Sequence, residues 1–228
     1  MKIVRTTPEH RDLPAYSDLR RAWPRFLLHD PVSNERWHRL FDEFGEFQFV
    51  AVEEGVLLAE GCAIPVAGMP HAWRQAFLTE GAPDRLCAIQ VLIEPAQQRR
   101  GLARPMLEHM RGLARERGWV LVAPVRPTWK ERYPLASIES YARWRREDGL
   151  LFDPWLRTHE RLGAEVLGTA DEAMRIPGTI AHWQEWTGMW FPESGAYVVP
   201  GALVPVEIDV ERDEGLYVEP CVWMRHPR

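Results

Sequence analysis

The chain lacks any apolar run close to the roughly 20 residues that span a bilayer, and its opening residues, MKIVRTTPEH, lack the apolar stretch of a secretory leader. Both absences argue against a membrane or secreted protein and make the cytoplasm the expected location. Cysteine is scarce: Cys62, Cys87 and Cys221 are three in number, widely spaced and without a Cys-x-x-Cys pair. Neither a disulfide framework nor a cysteine zinc site is expected, and the thiols read as reduced. Positive charge is not in excess, since 28 Lys and Arg face 33 Asp and Glu for a formal net charge of -5. A general nucleic-acid binder needs the opposite balance to displace counterions. There is no P-loop, no Gly-x-Ser-x-Gly elbow, no metal-ligand constellation, no repeat and no low-complexity tract.

What is present is a folded composition, with 46% apolar and 27% charged residues in a chain of 228. That length suits one domain with insertions. Residues 1–46 read as an N-terminal strand and helices, residues 47–125 as a ligand-binding core, and residues 126–228 as an insertion, an active-site helix and C-terminal strands. Eleven tryptophans are many for this length, and most fall between Trp119 and Trp223. They can form core or line a tunnel for an extended ligand.

Periodicity predicts a strand near Lys2 to Arg5 and helices over Ser17 to Leu28 and Asn34 to Phe44. The segments FQFVAVE and VLLAEGCAIPVA then read as a hairpin turning at Glu54 and Gly55. LCAIQVLIE reads as a central strand ending before Pro95. From Ala103 to Gly118 the apolar residues Met106, Leu107, Met110, Leu113 and Ala114 mark one helical face, followed by the strand WVLVAPV. Residues 126–153 hold a helix capped by Ser137, PWLRTHERLG is a further amphipathic helix, and AEVLG opens a tail of short strands and turns. This order implies an α/β fold with a mixed central sheet.

The most informative run is IEPAQQRRGLARPML. A strand stops, a loop of Gln98, Arg99, Arg100, Gly101, Leu102 and Ala103 follows, and a helix begins at once. Unpaired main-chain N–H groups and the positive end of the helix dipole then converge, which makes an anion site suited to a diphosphate. Gly101 allows close backbone approach, and Ala103 keeps the first helical turn small.

With its flanking strand and helix, the motif Gln-x-x-Gly-x-Ala resembles the acyl-CoA motif of the GNAT acetyltransferase superfamily, over about Phe47 to Ile176. The resemblance implies a GNAT fold in which parallel strands splay and Val91, Leu92 and Ile93 pair with pantetheine amides. The cofactor it implies is a coenzyme A thioester (acetyl-, malonyl- or methylmalonyl-CoA) or the phosphopantetheine of an acyl carrier protein, without metal. Where many members carry a tyrosine that protonates the departing thiolate, this chain has His159, which titrates near neutrality and points to different chemistry.

Longer runs, among them VRPTWKERYPL, DGLLFDPWLRTHERLGA and MRIPGTIAHWQEWTGMWFPESGAYVVPGALVPV, resemble the GNAT-like loading domains of polyketide assembly lines, of the curacin type. That likeness implies decarboxylation of a malonyl-type thioester, acyl transfer to a carrier protein, or both. It assigns catalysis to Thr128 and His159 and tunnel roles to Trp23 and Arg175. Other readings stay open: Thr128 as a strand-end turn, His159 as a helix cap, Trp23 as core and Arg175 as an ordinary ion-pair partner. The other histidines, among them His29, His109 and His226, read as less promising. Two alternative functions are acyl transfer to a small-molecule amine, for which Glu139 or Glu160 could take the ammonium proton, and a non-catalytic module that docks a thioester or carrier.

Overall fold

The computed structural model describes residues 1–78 and 80–228, and its described strands join one sheet. Strands β1 (Lys2–Arg5), β2 (Gln48–Glu53), β3 (Val56–Val66) and β4 (Arg85–Ile93) are antiparallel neighbours, and β5 (Val120–Val125) lies parallel to β4. The long strand β9 (Glu214–Arg225) pairs with β5 and with β8 (Val206–Asp209), and also with β6 (Glu165–Gly178). Strand β7 (Gly195–Tyr197) closes the edge beside β8. This is the mixed α/β architecture expected from the alternating apolar periods.

Strand alternation sends side chains to two faces. On one face Phe49, Ala59, Leu86, Leu121 and Val222 meet helix α6 (Ala103–Glu116) through Met106, Leu107 and Met110, and helix α8 (Pro154–Arg161) through Leu156. On the other, Cys62, Ile64, Cys87 and Trp223 pack against Leu40, Trp73 and Phe77. The three cysteines are free and buried in strands.

The N-terminal segments are shorter than the periodicity predicts. Helices α1 (Pro8–Arg11) and α2 (Pro14–Asp18) are followed by 3-10 turns at Leu19–Ala22 and Arg25–His29. Pro24 forces the break, because the residue before a proline is driven out of the helical region, and Trp23 is extended at φ -93 and ψ 143. Asp30 accepts from the Ser33 N–H at 2.7 Å and caps α3 (Pro31–Arg36), which is separated from α4 (Arg39–Asp42) by two residues. Helices α5 (Trp73–Ala76) and α9 (Ile180–Thr187) were not legible from periodicity, and β6 and β9 are long strands where short ones were expected. Helix α7 (Ile138–Tyr141) does start at Ser137, whose hydroxyl accepts from the Ser140 N–H at 3.1 Å. No described helix is long and apolar enough to cross a membrane.

Candidate active site

The parallel pair β4 and β5 is joined only from Arg85 to Cys87, opposite Val120 to Val122. Beyond that point the strands diverge: β4 continues beside β3 as far as Ile93, while β5 turns to β9. A bulge contributes to the divergence, since Cys62 pairs with Gln90 and Ala63 with Ala88, leaving Ile89 as an extra residue in β4. The edge of β4 past Cys87 that faces β5 therefore has no strand partner among the described residues, and its N–H and C=O groups are open to a ligand that carries amides.

A cavity of about 510 Å³ fills the wedge. Val91, Leu92 and Ile93 form one wall, and Gln98, Arg99, Gly101, Leu102 and Ala103 form the end at the start of α6. Among the described residues no main-chain acceptor takes the N–H groups of Arg99 to Ala103, and no side chain caps α6. Arg99 at φ 66 and Gly101 at φ 77 lie in the left-handed region, which curls the loop so that successive amides face one side. A Cβ on Gly101 would meet nothing within 4 Å, so the glycine is required by its backbone conformation and opens onto empty space. Arg100 is the member of the expected loop that does not line the cavity: its guanidinium turns to Gln97 and, at 3.1 Å, to Glu53.

His159 and Thr128 line the opposite wall together with Trp155 and Thr158. One buried carboxylate ties these elements together. Asp153 accepts from the Trp155 and Leu156 N–H groups at 2.9 and 3.2 Å, capping α8, and from the Trp129 N–H at 2.7 Å and the Tyr141 hydroxyl at 3.0 Å. The loop bearing Thr128 and the helix bearing His159 are thus fixed to one anchor.

His159 is 1% exposed, and its Nδ1 lies 2.9 Å from Nε2 of His226. Burial, reinforced by the neighbouring imidazole, holds its pKa well below the usual histidine value. Burial and the charge of Arg111 push His226 down to about 4. Both rings are accordingly neutral near pH 7, one donating to the other, and Nε2 of His159 has no partner among the described residues. His226, which looked unpromising so near the chain end, is buried and sets the orientation of the candidate catalytic ring.

A second cavity of about 360 Å³ lies on the other face of the sheet. The two meet at a wall of Trp23, Ile89, Gln90, Pro124 and Arg126, all of which line both. Glu60 borders the second cavity and is 4% exposed. Its carboxylate accepts from the Tyr16 hydroxyl, and from Nε2 of Gln90 at 2.7 Å, while Oε1 of Gln90 accepts from Nε1 of Trp23 at 3.2 Å. Burial raises the Glu60 pKa, which its hydrogen bonds to Tyr16, Cys62 and Gln90 and the charge of Arg20 only partly offset. Glu219, in contrast, is ion-paired to Nε of Arg126 at 2.9 Å and accepts from the Tyr217 hydroxyl at 2.8 Å.

Trp23 thus stands where the two cavities join, but Arg175 stands at neither. Alternation along β6 buries Ile176 and turns Arg175 to solvent, opposite Val218. The guanidinium at the junction belongs to Arg126 instead. Glu139 and Glu160 also lie away from both cavities, paired with Arg143 at 3.0 Å and Arg145 at 2.9 Å. Glu60, Gln90 and Glu219 escaped sequence reasoning, although each left a signal: a lone polar residue inside an apolar strand, in LLAEGCA, CAIQVLI and YVEPCVW.

No protein-family profile matches the chain. The arginine N-acetyltransferase avaD of Aspergillus versicolor is 31% identical over 246 residues, an alignment that takes in 90% of this chain and 85% of that protein. The chain belongs to the GNAT acyltransferase superfamily. Two solved structures share its fold. The loading GNAT-like domain of CurA from Lyngbya majuscula superposes with a TM-score of 0.68 at 19% identity, covering 99% of this chain and 96% of that one. The GphF GNAT-like decarboxylase, solved with isobutyryl-CoA, gives a TM-score of 0.64 at 21% identity, covering 99% and 98%. At such identities the likeness concerns the fold.

Proposed function

We propose that the protein transfers an acyl group from acyl-CoA, bound in the larger cavity, to a cationic amine or guanidine bound in the smaller one. The observation that carries this reading is Glu60. A buried carboxylate whose hydrogen bonds come only from neutral donors is costly to ionise, and no cation forms an ion pair with Glu60 among the described residues, Arg20 acting on it only through space. A positively charged acceptor would supply the missing partner and then surrender its proton to it. The raised pKa of Glu60 suits it to that task, since it brings the carboxylate closer to the affinity for protons that a base working near neutrality needs.

The larger cavity would receive the donor. Amides of the 99–103 loop and the dipole of α6 suit the diphosphate, and the open edge of β4 suits the pantetheine amides. The freed amine attacks the thioester carbonyl through the junction at Gln90, the C–N bond forms, and the C–S bond breaks, the sulfur taking up the proton that the newly bonded nitrogen releases, so that the coenzyme leaves as thiol. With Nδ1 accepting from His226, His159 carries its proton on Nε2, the nitrogen left to donate to the oxyanion once the thioester displaces the groups that bury it. A neutral, buried imidazole suits that stabilising role better than delivery of a full proton. The 31% likeness to an arginine N-acetyltransferase supports a cationic acceptor.

The test combines acetyl-CoA with a panel of amines and guanidines, following thiol release and the mass of the acceptor. Acylated product in the wild type and a loss of about a hundredfold or more in Glu60→Gln are expected. Absence of acyl transfer to every acceptor, or an unimpaired Glu60→Gln, overturns the reading.

A second reading, decarboxylation of a malonyl-type thioester with or without acyl delivery to a carrier protein, is favoured by Thr128 and His159 bordering one cavity. It would leave the smaller cavity and its buried carboxylate without a use. Release of CO2 from malonyl-CoA without any acceptor is the result that would select it.

A further inference from the structure

The smaller cavity has an uneven chemical make-up. Its two carboxylates stand at the junction with Gln90 and Arg126, while Arg20, Ser33 and Asn34 also border the chamber. Most of the remaining wall is apolar: Trp37, Trp73, Leu27, Met174 and Cys221, with Trp23 at the boundary. Trp73 is 6% exposed and packed edge-on against Phe77, so it forms a fixed wall and not a mobile surface ring. Trp37 packs against the same phenylalanine with ring centroids 6.3 Å apart. Of the two carboxylates, Glu219 is ion-paired with Arg126, whereas Glu60 makes no ion pair among the described residues and feels the Arg20 guanidinium only through space.

From this asymmetry we infer that the acceptor is an amphipathic monocation, a single amine or guanidine joined to an aromatic or comparably large apolar body. The inference rests on the acyl-transfer reading above and specifies its acceptor. A polyhydroxylated amine could reach Ser33 and Asn34 but would leave its further hydroxyls against indoles and the Met174 thioether with their hydrogen bonds unmade, at a cost for each. A small free amine would satisfy Glu60 and leave most of about 360 Å³ unfilled. An aromatic body instead covers the indole faces, and the cation reaches the carboxylate next to the junction where the thioester carbonyl would arrive. A second positive charge has no buried partner left, because Glu219 is held by Arg126 and Tyr217.

The inference is tested with matched monocationic acceptors that differ in the apolar body: tryptamine against butylamine, and 2-phenylethylguanidine against butylguanidine. Acetyl-CoA is the donor, and kcat/KM is read from thiol release. The aromatic member of each pair is expected to exceed its partner at least tenfold, the scale of burying one aromatic ring. In Trp37→Ala that ratio is expected to shrink, with CoA affinity and thermal unfolding verifying that the variant is folded. Equal kcat/KM within both pairs, or a ratio unchanged in Trp37→Ala, overturns the inference while leaving acyl transfer standing. If no member of either pair is acylated, the transfer reading itself fails and the inference falls with it. Calorimetric titration of tryptamine and butylamine into the CoA-bound protein supplies a readout independent of turnover, in which tryptamine must bind more tightly.

Discussion

Asp153 is the residue whose loss the structure prices most directly. Replacing it with alanine removes four accepted hydrogen bonds, from the N–H groups of Trp129, Trp155 and Leu156 and from the Tyr141 hydroxyl. The helix-capping part is worth about 1 kcal/mol, and the buried Trp129 N–H and Tyr141 hydroxyl, left unsatisfied, add about 1 to 2 kcal/mol each. The total, about 3 to 5 kcal/mol, is a large share of the roughly 5 to 15 kcal/mol that keeps a domain folded. It corresponds to a fall in Tm on the order of 10 °C. Urea unfolding monitored by tryptophan fluorescence measures the first quantity and calorimetry the second. Asp153→Asn keeps one acceptor oxygen but turns an NH2 towards donors, so an intermediate loss is expected. At temperatures where the alanine variant is still folded its kcat should fall as well, because Thr128 and His159 lose their common anchor. A loss below about 1 kcal/mol, outside the range for even one capping bond, or wild-type turnover in the folded variant, would refute the role given to this carboxylate.

The histidine pair makes a signed prediction about acid. The His226 pKa is depressed in the folded state to about 4 from an ordinary 6.5, so the unfolded chain binds the extra proton first. Stability is then fully present above pH 6.5 and is lost as pH falls towards about 4, by up to roughly 3 kcal/mol. Urea titrations of wild type and His226→Asn at pH 7.5 and pH 4.5 should show the variant losing less, and parallel losses would contradict the assignment. Glu60 carries the opposite sign, because its folded pKa is raised by burial. Its contribution is favourable below its unfolded pKa and disappears as pH rises through the folded one, so Glu60→Gln should equal or exceed the wild type in stability at pH 8 even as activity is lost. Thermal melts at that pH decide it. Gly101→Ala imposes a left-handed φ of 77 on a residue with a Cβ, costing about 1 to 2 kcal/mol. The acetyl-CoA KM should rise about tenfold if the loop relaxes to avoid that strain, and an unchanged KM would remove the loop from donor binding.

Much of the donor side was legible in the chain itself. Pro95, Gly101 and the apolar stripe of α6 are local signals, set by backbone sterics and by a period of 3.6 residues, and they locate a strand, an amide-rich loop and a helix start without reference to anything distant. Trp23, Thr128 and His159 were named through family likeness, and the folded chain brings them to the same wedge. The acceptor side depended on contacts between residues far apart in sequence. Glu60 meets Tyr16 and Gln90, Arg126 meets Glu219, and His159 meets His226 across 67 positions. No periodicity encodes such pairs, because they arise when separate strands are set side by side. The fate of Arg175 has the same origin: residue type made it a candidate, but which face of β6 it occupies is decided by the register with β9, and that register turns it to water. Local chemistry therefore determined where the amide-rich loop and its helix lie, whereas tertiary pairing alone decided which buried carboxylate stands at the proposed acceptor site.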